Sequence, residues 1–184
     1  MLVFTTGGSD AKAGYYSSTM LEQNPPILDA AHADFVVGGV SINAAACRRG
    51  GFPALARGVG CRLSADRSSL TLLFGAAAAA DLLEAVRRSG AIAAVFSDPP
   101  THRTVQLKGT DALVLRPEPG DRELVAGYRD TFMRVLGSLG YSEDMTRALL
   151  ACPLDELVTV RFSPSSAFTQ TPGPRAGEVL GGAT

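Results

Sequence analysis

The sequence predicts one α+β domain built on an antiparallel, barrel-like sheet, with one helix inserted among the strands and further helices towards the C-terminus. Three observations predict it. Short β-branched runs follow one another with turn residues between them, an alanine-rich amphipathic stretch interrupts them once, and strong helical spacing appears only late in the chain. The strict strand–helix alternation of a doubly wound nucleotide fold is absent.

Residues 1–26 carry no sustained apolar period and are expected to form a loose arm. Met20 stands just before globular patterning begins, so residues 1–19 are expected to be an extension ahead of the folded chain. Phe35-Val36-Val37-Gly38-Gly39-Val40-Ser41-Ile42 reads as the first strand, ended by Asn43 and then by Arg49-Gly50-Gly51. Phe52 to Leu63 reads as the second, with Pro53 near its start, where a missing N–H is tolerated. Ala65 to Ser69 is a hairpin turn into Leu70–Phe74, giving three antiparallel strands in a row. Ala76 to Arg88 sets Leu82, Leu83 and Val86 on one face, a helix closed by Gly90. A strand follows at Ala91–Ser97. After Asp98-Pro99-Pro100, Val105 and Leu107 alternate with Thr104, Gln106 and Lys108, a strand with one wet face that is expected to continue through Leu113–Leu115. Leu124, Val125, Tyr128, Phe132, Val135, Leu136 and Leu139 fall at helical spacing. A shorter helix is expected at Ser142–Ala151 with Ser142 as its cap, and a last strand at Leu157–Phe162. Residues 27–170 form one domain in this reading, and 171–184 a flexible tail.

Composition excludes several classes. With 46% hydrophobic and 19% charged residues the chain is ordinary globular material. A net charge of −1 gives no positive field to draw it to phosphate backbones, so no nucleic-acid partner is expected. Cys47, Cys61 and Cys152 are odd in number and lack a C-x-x-C pair, which suggests reduced thiols. No stretch approaches the roughly 18 apolar residues of a membrane span, and the expected location is the cytoplasm.

Gly58-Val59-Gly60-Cys61-Arg62-Leu63 begins like a dinucleotide fingerprint but has Leu63 where the third glycine belongs. Walker A, H-E-x-x-H and G-x-S-x-G segments are absent from the sequence. His32 and His102 are too few for a His-rich metal site, and no metal is expected. Three segments hold the candidate chemistry. Arg57-Gly58-Val59-Gly60-Cys61-Arg62 offers two guanidinium groups, which reach one ligand only if the strand twists or bulges. Asp98 to Gly109 gathers polar donors on the edge of an apolar strand. The N-terminus of the alanine-rich helix has amides that could hold a phosphate. On the residues alone, Arg57, Arg62, Arg103 and Lys108 read equally as solvated strand charges.

The order of elements and the His102-Arg103-Thr104-Val105-Gln106-Leu107-Lys108-Gly109 run resemble the flavin mononucleotide (FMN)-binding split β-barrel of the pyridoxamine 5′-phosphate oxidase-like superfamily, over roughly residues 28 to 116. The resemblance implies a flavoprotein oxidoreductase. Its R-x-x-x-x-K flavin segment falls on Arg57 to Arg62, with Arg in place of Lys and with Gly58 and Val59 between. Thr104 falls closest to the position of a polar side chain at the flavin ring. Arg103 and Lys108 stand where charge on the reduced flavin is stabilised. The resemblance also implies a homodimer with flavin at the subunit interface, acting on a small-molecule substrate. The chain departs from the pattern where Gly75-Ala76-Ala77-Ala78-Ala79-Ala80 replaces the usual Ser, Arg and Lys at the inserted helix. It also lacks any histidine after His102, which argues against a true pyridoxamine phosphate oxidase and against the haem-handling branch. Two alternatives stay open: a non-catalytic or weakly flavin-binding split barrel, and a deazaflavin-dependent reductase.

Overall fold

The computed structural model describes residues 27–47 and 50–180. The expected arm, the extension ahead of Met20 and Arg49 of the first turn lie outside the described residues.

The chain opens with a helix where the sequence suggested a strand. Asp29 accepts a hydrogen bond from the His32 amide and caps α1 (Ala30–Val36), which buries Ala33 and Val36. The β-branched pair Val36-Val37 therefore ends a helix, and β1 (Ser41–Cys47) begins only after Gly38-Gly39. Asn43 sits inside this strand rather than ending it. The expected second strand is two strands, β2 (Pro53–Arg57) and β3 (Gly60–Leu63), separated at Gly58-Val59. A hairpin leads to β4 (Leu70–Gly75), as expected.

The alanine run Ala76–Ala79 is a turn, and α2 (Ala80–Ser89) starts after it and ends on left-handed Gly90. Next come β5 (Ile92–Ser97) and β6 (Thr104–Gly109). Residues 110–112 then break the expected long strand, and β7 (Leu113–Leu115) belongs to another sheet. The helices α3 (Asp121–Ser138) and α4 (Glu143–Leu149) follow, the latter capped by Ser142. The chain closes with β8 (Leu157–Phe162), β9 (Ser166–Thr169) and the two-residue β10 (Val179–Leu180). The last two strands have no counterpart in the sequence reading, and β10 falls in the stretch read as tail.

All pairings are antiparallel. One sheet has the order β10-β9-β6-β5-β1-β2 and the other β3-β4-β8-β7. The switch between them is visible in two adjacent amides. Gly58 N–H bonds Ile42 O in the first sheet, and Val59 N–H bonds Leu73 O in the second. A Cβ on Gly58 would stand 2.7 Å from Ile42 Cγ2, so only glycine lets the strand pass this close. Phe74, Phe96, Leu107, Phe162 and the buried face of α2 fill the space between the sheets. This is an α+β fold, an antiparallel split barrel with one inserted helix and two late helices.

Candidate functional site

Alternation along the strands gives the six-stranded sheet two unlike faces. Ile42, Ala44, Ala94, Phe96, Val105, Leu107 and Ala167 point into the core and are buried. Ser41, Asn43, Val95, Ser97, Thr104, Gln106 and Phe168 point the other way and keep partial contact with solvent. Cross-strand partners share a face, so the register places Arg57 beside Asn43, Val95, Gln106 and Phe168 in one row. Ser41, Ser97 and Thr104 form the next row.

These two rows are joined by hydrogen bonds. Arg57 Nη1 donates to Ser41 Oγ at 2.9 Å, and the Ser97 and Thr104 hydroxyls lie 2.9 Å apart. Thr104 Oγ1 donates to the His102 carbonyl, so Ser97 is the donor in that pair. Ser41 Oγ accepts from Arg57 and, at 3.4 Å, from Asn43, which leaves its own proton to donate. A polar line thus crosses four strands, from Arg57 on β2 to Thr104 on β6.

Each end of the line opens on a cavity. At the Arg57 end, about 390 Å³ is enclosed between Ser41, Arg57 and Pro99 on one side and the apolar side chains of Phe132, Tyr141 and Met145 from the α3–α4 corner on the other. At the Thr104 end, a cleft of about 590 Å³ is bounded by His32, Arg103 and Thr104 and by the returning segment at Thr169, Thr171 and Arg175. Thr171 Oγ1 accepts the Thr104 amide at 2.9 Å and holds this segment to the sheet. Both volumes are in the range of small-molecule sites. Under the Arg57 end, Tyr128 donates to Val40 O at 2.8 Å. Burial pushes its phenol pKa far up, so it is a fixed donor rather than an acid.

The seven residues singled out in the sequence separate into four groups. Arg57 and Thr104 lie on the line, and Lys108 shares its face with its ammonium 4.7 Å from the Phe168 ring centre. Arg103 stands at the rim, its guanidinium 4.3 Å from the ring centre of Phe35. Gly58 and Val59 make the crossing between sheets instead of lining a cavity. Arg62 is not brought together with Arg57. Its Nε donates to Asp121 at 3.0 Å and its Nη2 meets Glu118 at 2.9 Å, at the start of α3. Burial opposes its charge, but the two carboxylates outweigh that and raise its pKa. Among the described residues no carboxylate forms an ion pair with Arg57, Arg103 or Lys108.

The inserted helix also differs from expectation. The amides of Ala76, Ala79 and Ala80 are used by Glu156, Gly75 and Ala77 carbonyls. The helix packs on the buried face of β1 and β2, away from the polar line. Sequence reasoning missed Ser41, Ser97 and Thr171. A register for the Asp98–Arg103 hairpin would have paired Ser97 with Thr104, but nothing local signals Ser41 or Thr171.

No protein-family model matches the chain, and no curated protein matches it. Solved structures do. HupZ from Group A Streptococcus is similar at a TM-score of 0.50 and 13% identity, over 82% of this chain and 100% of that one. An F420 reductase is similar at a TM-score of 0.50 and 13% identity, over 76% of this chain and 98% of that one. A pyridoxamine 5′-phosphate oxidase-related, FMN-binding protein from Nostoc punctiforme gives 0.43 and 13%, over 79% and 83%. At these identities the likeness is one of fold alone.

Proposed function

We propose that this protein binds FMN along the polar line of the six-stranded sheet and serves as an FMN-dependent oxidoreductase for a small substrate, as a cytoplasmic homodimer. The observation that carries the reading is the line itself, in which the donors of Arg57 and Ser41 and the hydroxyl oxygens of Ser97 and Thr104 stand on one open sheet face between two cavities. The donor set fits a flavin nucleotide in chemistry. A flat, polar-edged ring needs hydroxyl and amide donors on a level surface, and a phosphate needs cations that are not already neutralised. Arg57, Arg103 and Lys108 supply such charge, whereas Arg62 is committed to Asp121 and Glu118.

When bound, the flavin supplies hydride transfer to or from the substrate. The chain's own residues bind and orient. Ser41 holds a hydroxyl donor and Thr104 an acceptor oxygen in fixed positions because Arg57, Ser97 and the His102 carbonyl hold them in turn. Lys108 adds positive charge to the same face. The side chains at the α3–α4 corner give the Arg57 end an apolar wall. A homodimer fits the open face, where Leu55 on one edge strand and Val179, the cross-strand partner of Phe168, on the other remain exposed.

A deazaflavin reductase is the second reading, favoured by the fold likeness to the F420 reductase. The closed turn at Ala76–Ala79, without charged side chains, suits a cofactor whose phosphate is not gripped at α2. The test is the absorption spectrum of the protein purified without added cofactor, with the released chromophore identified by mass. Stoichiometric FMN supports the first reading and a deazaflavin the second. A colourless protein that takes up neither cofactor would leave a binding role without redox chemistry.

A further inference from the structure

Away from the sheet face, a third cavity of about 360 Å³ lies between α3 and α4. Its walls are Ala126, Met133, Leu150 and Ala151, with Arg129, Arg147 and Asp130 as its charges. The two arginines are not equivalent. Arg147 is paired with Glu143 at 3.2 Å on the exposed side of α4. Arg129 is half-buried, and its Nη2 donates to the Cys152 carbonyl at 2.7 Å. Its Nε is buried without a hydrogen-bond partner, and among the described residues no carboxylate forms an ion pair with it. A partly desolvated guanidinium without an anion is unfavourable, and an orphaned donor beside it adds to the cost. The unpaired charge is offset if an anion occupies the cavity and meets the terminal nitrogens. The arrangement sets one cation without a carboxylate partner among apolar side chains, the pattern of a small-ligand site.

We propose that the α3–α4 cavity is a binding site for a small organic carboxylate with a short apolar body. The carboxylate meets the Arg129 guanidinium, whose planar fork matches it. The apolar body lies against Met133 and Leu150. Asp130, at the same cavity, disfavours ligands with a second negative charge. The site is separate from the polar line and does not depend on which cofactor that line holds.

The test uses the full chain, isotopically labelled, titrated with sodium hexanoate and followed by amide chemical shifts, with acetate and hexanol as comparisons. Saturable shifts confined to residues 126–133 and 146–152 are expected with hexanoate, and weaker ones with acetate and hexanol. Arg129→Gln is expected to weaken hexanoate binding by roughly tenfold or more, the loss of one charge-assisted contact. Arg147→Gln is expected to leave it nearly unchanged. Because Arg129 also ties down the Cys152 carbonyl, Ala126→Phe provides a second variant. It fills the cavity from an exposed helix position and should abolish the shifts while melting normally. Absence of shifts up to the solubility of hexanoate, shifts elsewhere on the protein, or equal binding by hexanol and by Arg129→Gln would each overturn the proposal.

Discussion

Arg57 and Arg62 stand five residues apart and do different work. Arg57→Ala is expected to weaken flavin retention by about tenfold or more, read by cofactor content after purification, with little change in melting temperature. Arg62 acts through Asp121, which is only 2% exposed and also accepts the Glu118 amide at 2.7 Å. Asp121→Ala should therefore cost about 2 kcal/mol of stability in denaturant unfolding while leaving flavin affinity unchanged. The thiols separate in the same way. Burial pushes the Cys61 thiol up to about 12 and raises Cys152, while Cys47 is exposed. In the native protein near neutral pH a thiol reagent should modify Cys47 quickly and the other two only after unfolding. Among carboxylates, hydrogen bonds from Ser64 and Ser68 hold Asp66 at about 2, and the His32 amide lowers Asp29. Such depressed groups stabilise the fold fully above the unfolded carboxylate range and lose that contribution as pH falls through the folded value. Melting temperature should accordingly decline below about pH 4. Residue type made Arg57 and Arg62 look alike in the sequence. Their difference depends on Ser41 and Asp121, which come from distant parts of the chain.

At the level of elements, what could be read was what local pattern determines. The strands around Leu72, Val95, Leu107 and Val160, the helix on Val125–Leu136 and the Ser142 cap all announce themselves by period or by capping chemistry. Failures occurred where tertiary pairing decided. Val36-Val37 looks like a strand, yet the Asp29 cap and the burial of Ala33 and Val36 make a helix of it. The alternation over Thr104–Lys108 suggested one strand continuing to Leu115, but Gly109 is packed against Phe162 and the chain turns there into the other sheet. Two glycines test this scale. Gly58→Val would drive a side chain into Ile42 and should cost about 2 kcal/mol or more in unfolding experiments. Gly90→Ala combines a left-handed backbone at φ 65° with a Cβ 2.9 Å from the Thr110 carbonyl, and should cost about 1–2 kcal/mol by the same measurement.

For the whole molecule, the sequence order of strands and helices was enough to identify the architecture but not the site. The α+β class and a barrel-like sheet follow from the order of elements and the split barrel from the family resemblance, whereas the polar line needs the register of β2, β1, β5 and β6 at once. The proposed homodimer belongs to this scale. If the open face is the interface, Leu55→Lys should shift the sedimentation coefficient from dimer to monomer and lower flavin content with it, while Leu139→Lys, elsewhere on the exposed surface, should do neither.

Strand lengths bear on another property of the molecule. Every border of the two sheets is blunt: β10 has two residues, β7 three, β3 four, and β2 begins with Pro53, which has no amide to offer a neighbour. Ribbon-to-ribbon growth, the first step towards fibres, thereby finds only short templates among the described residues. Copies of this chain can meet through a surface of side chains but find little backbone to extend.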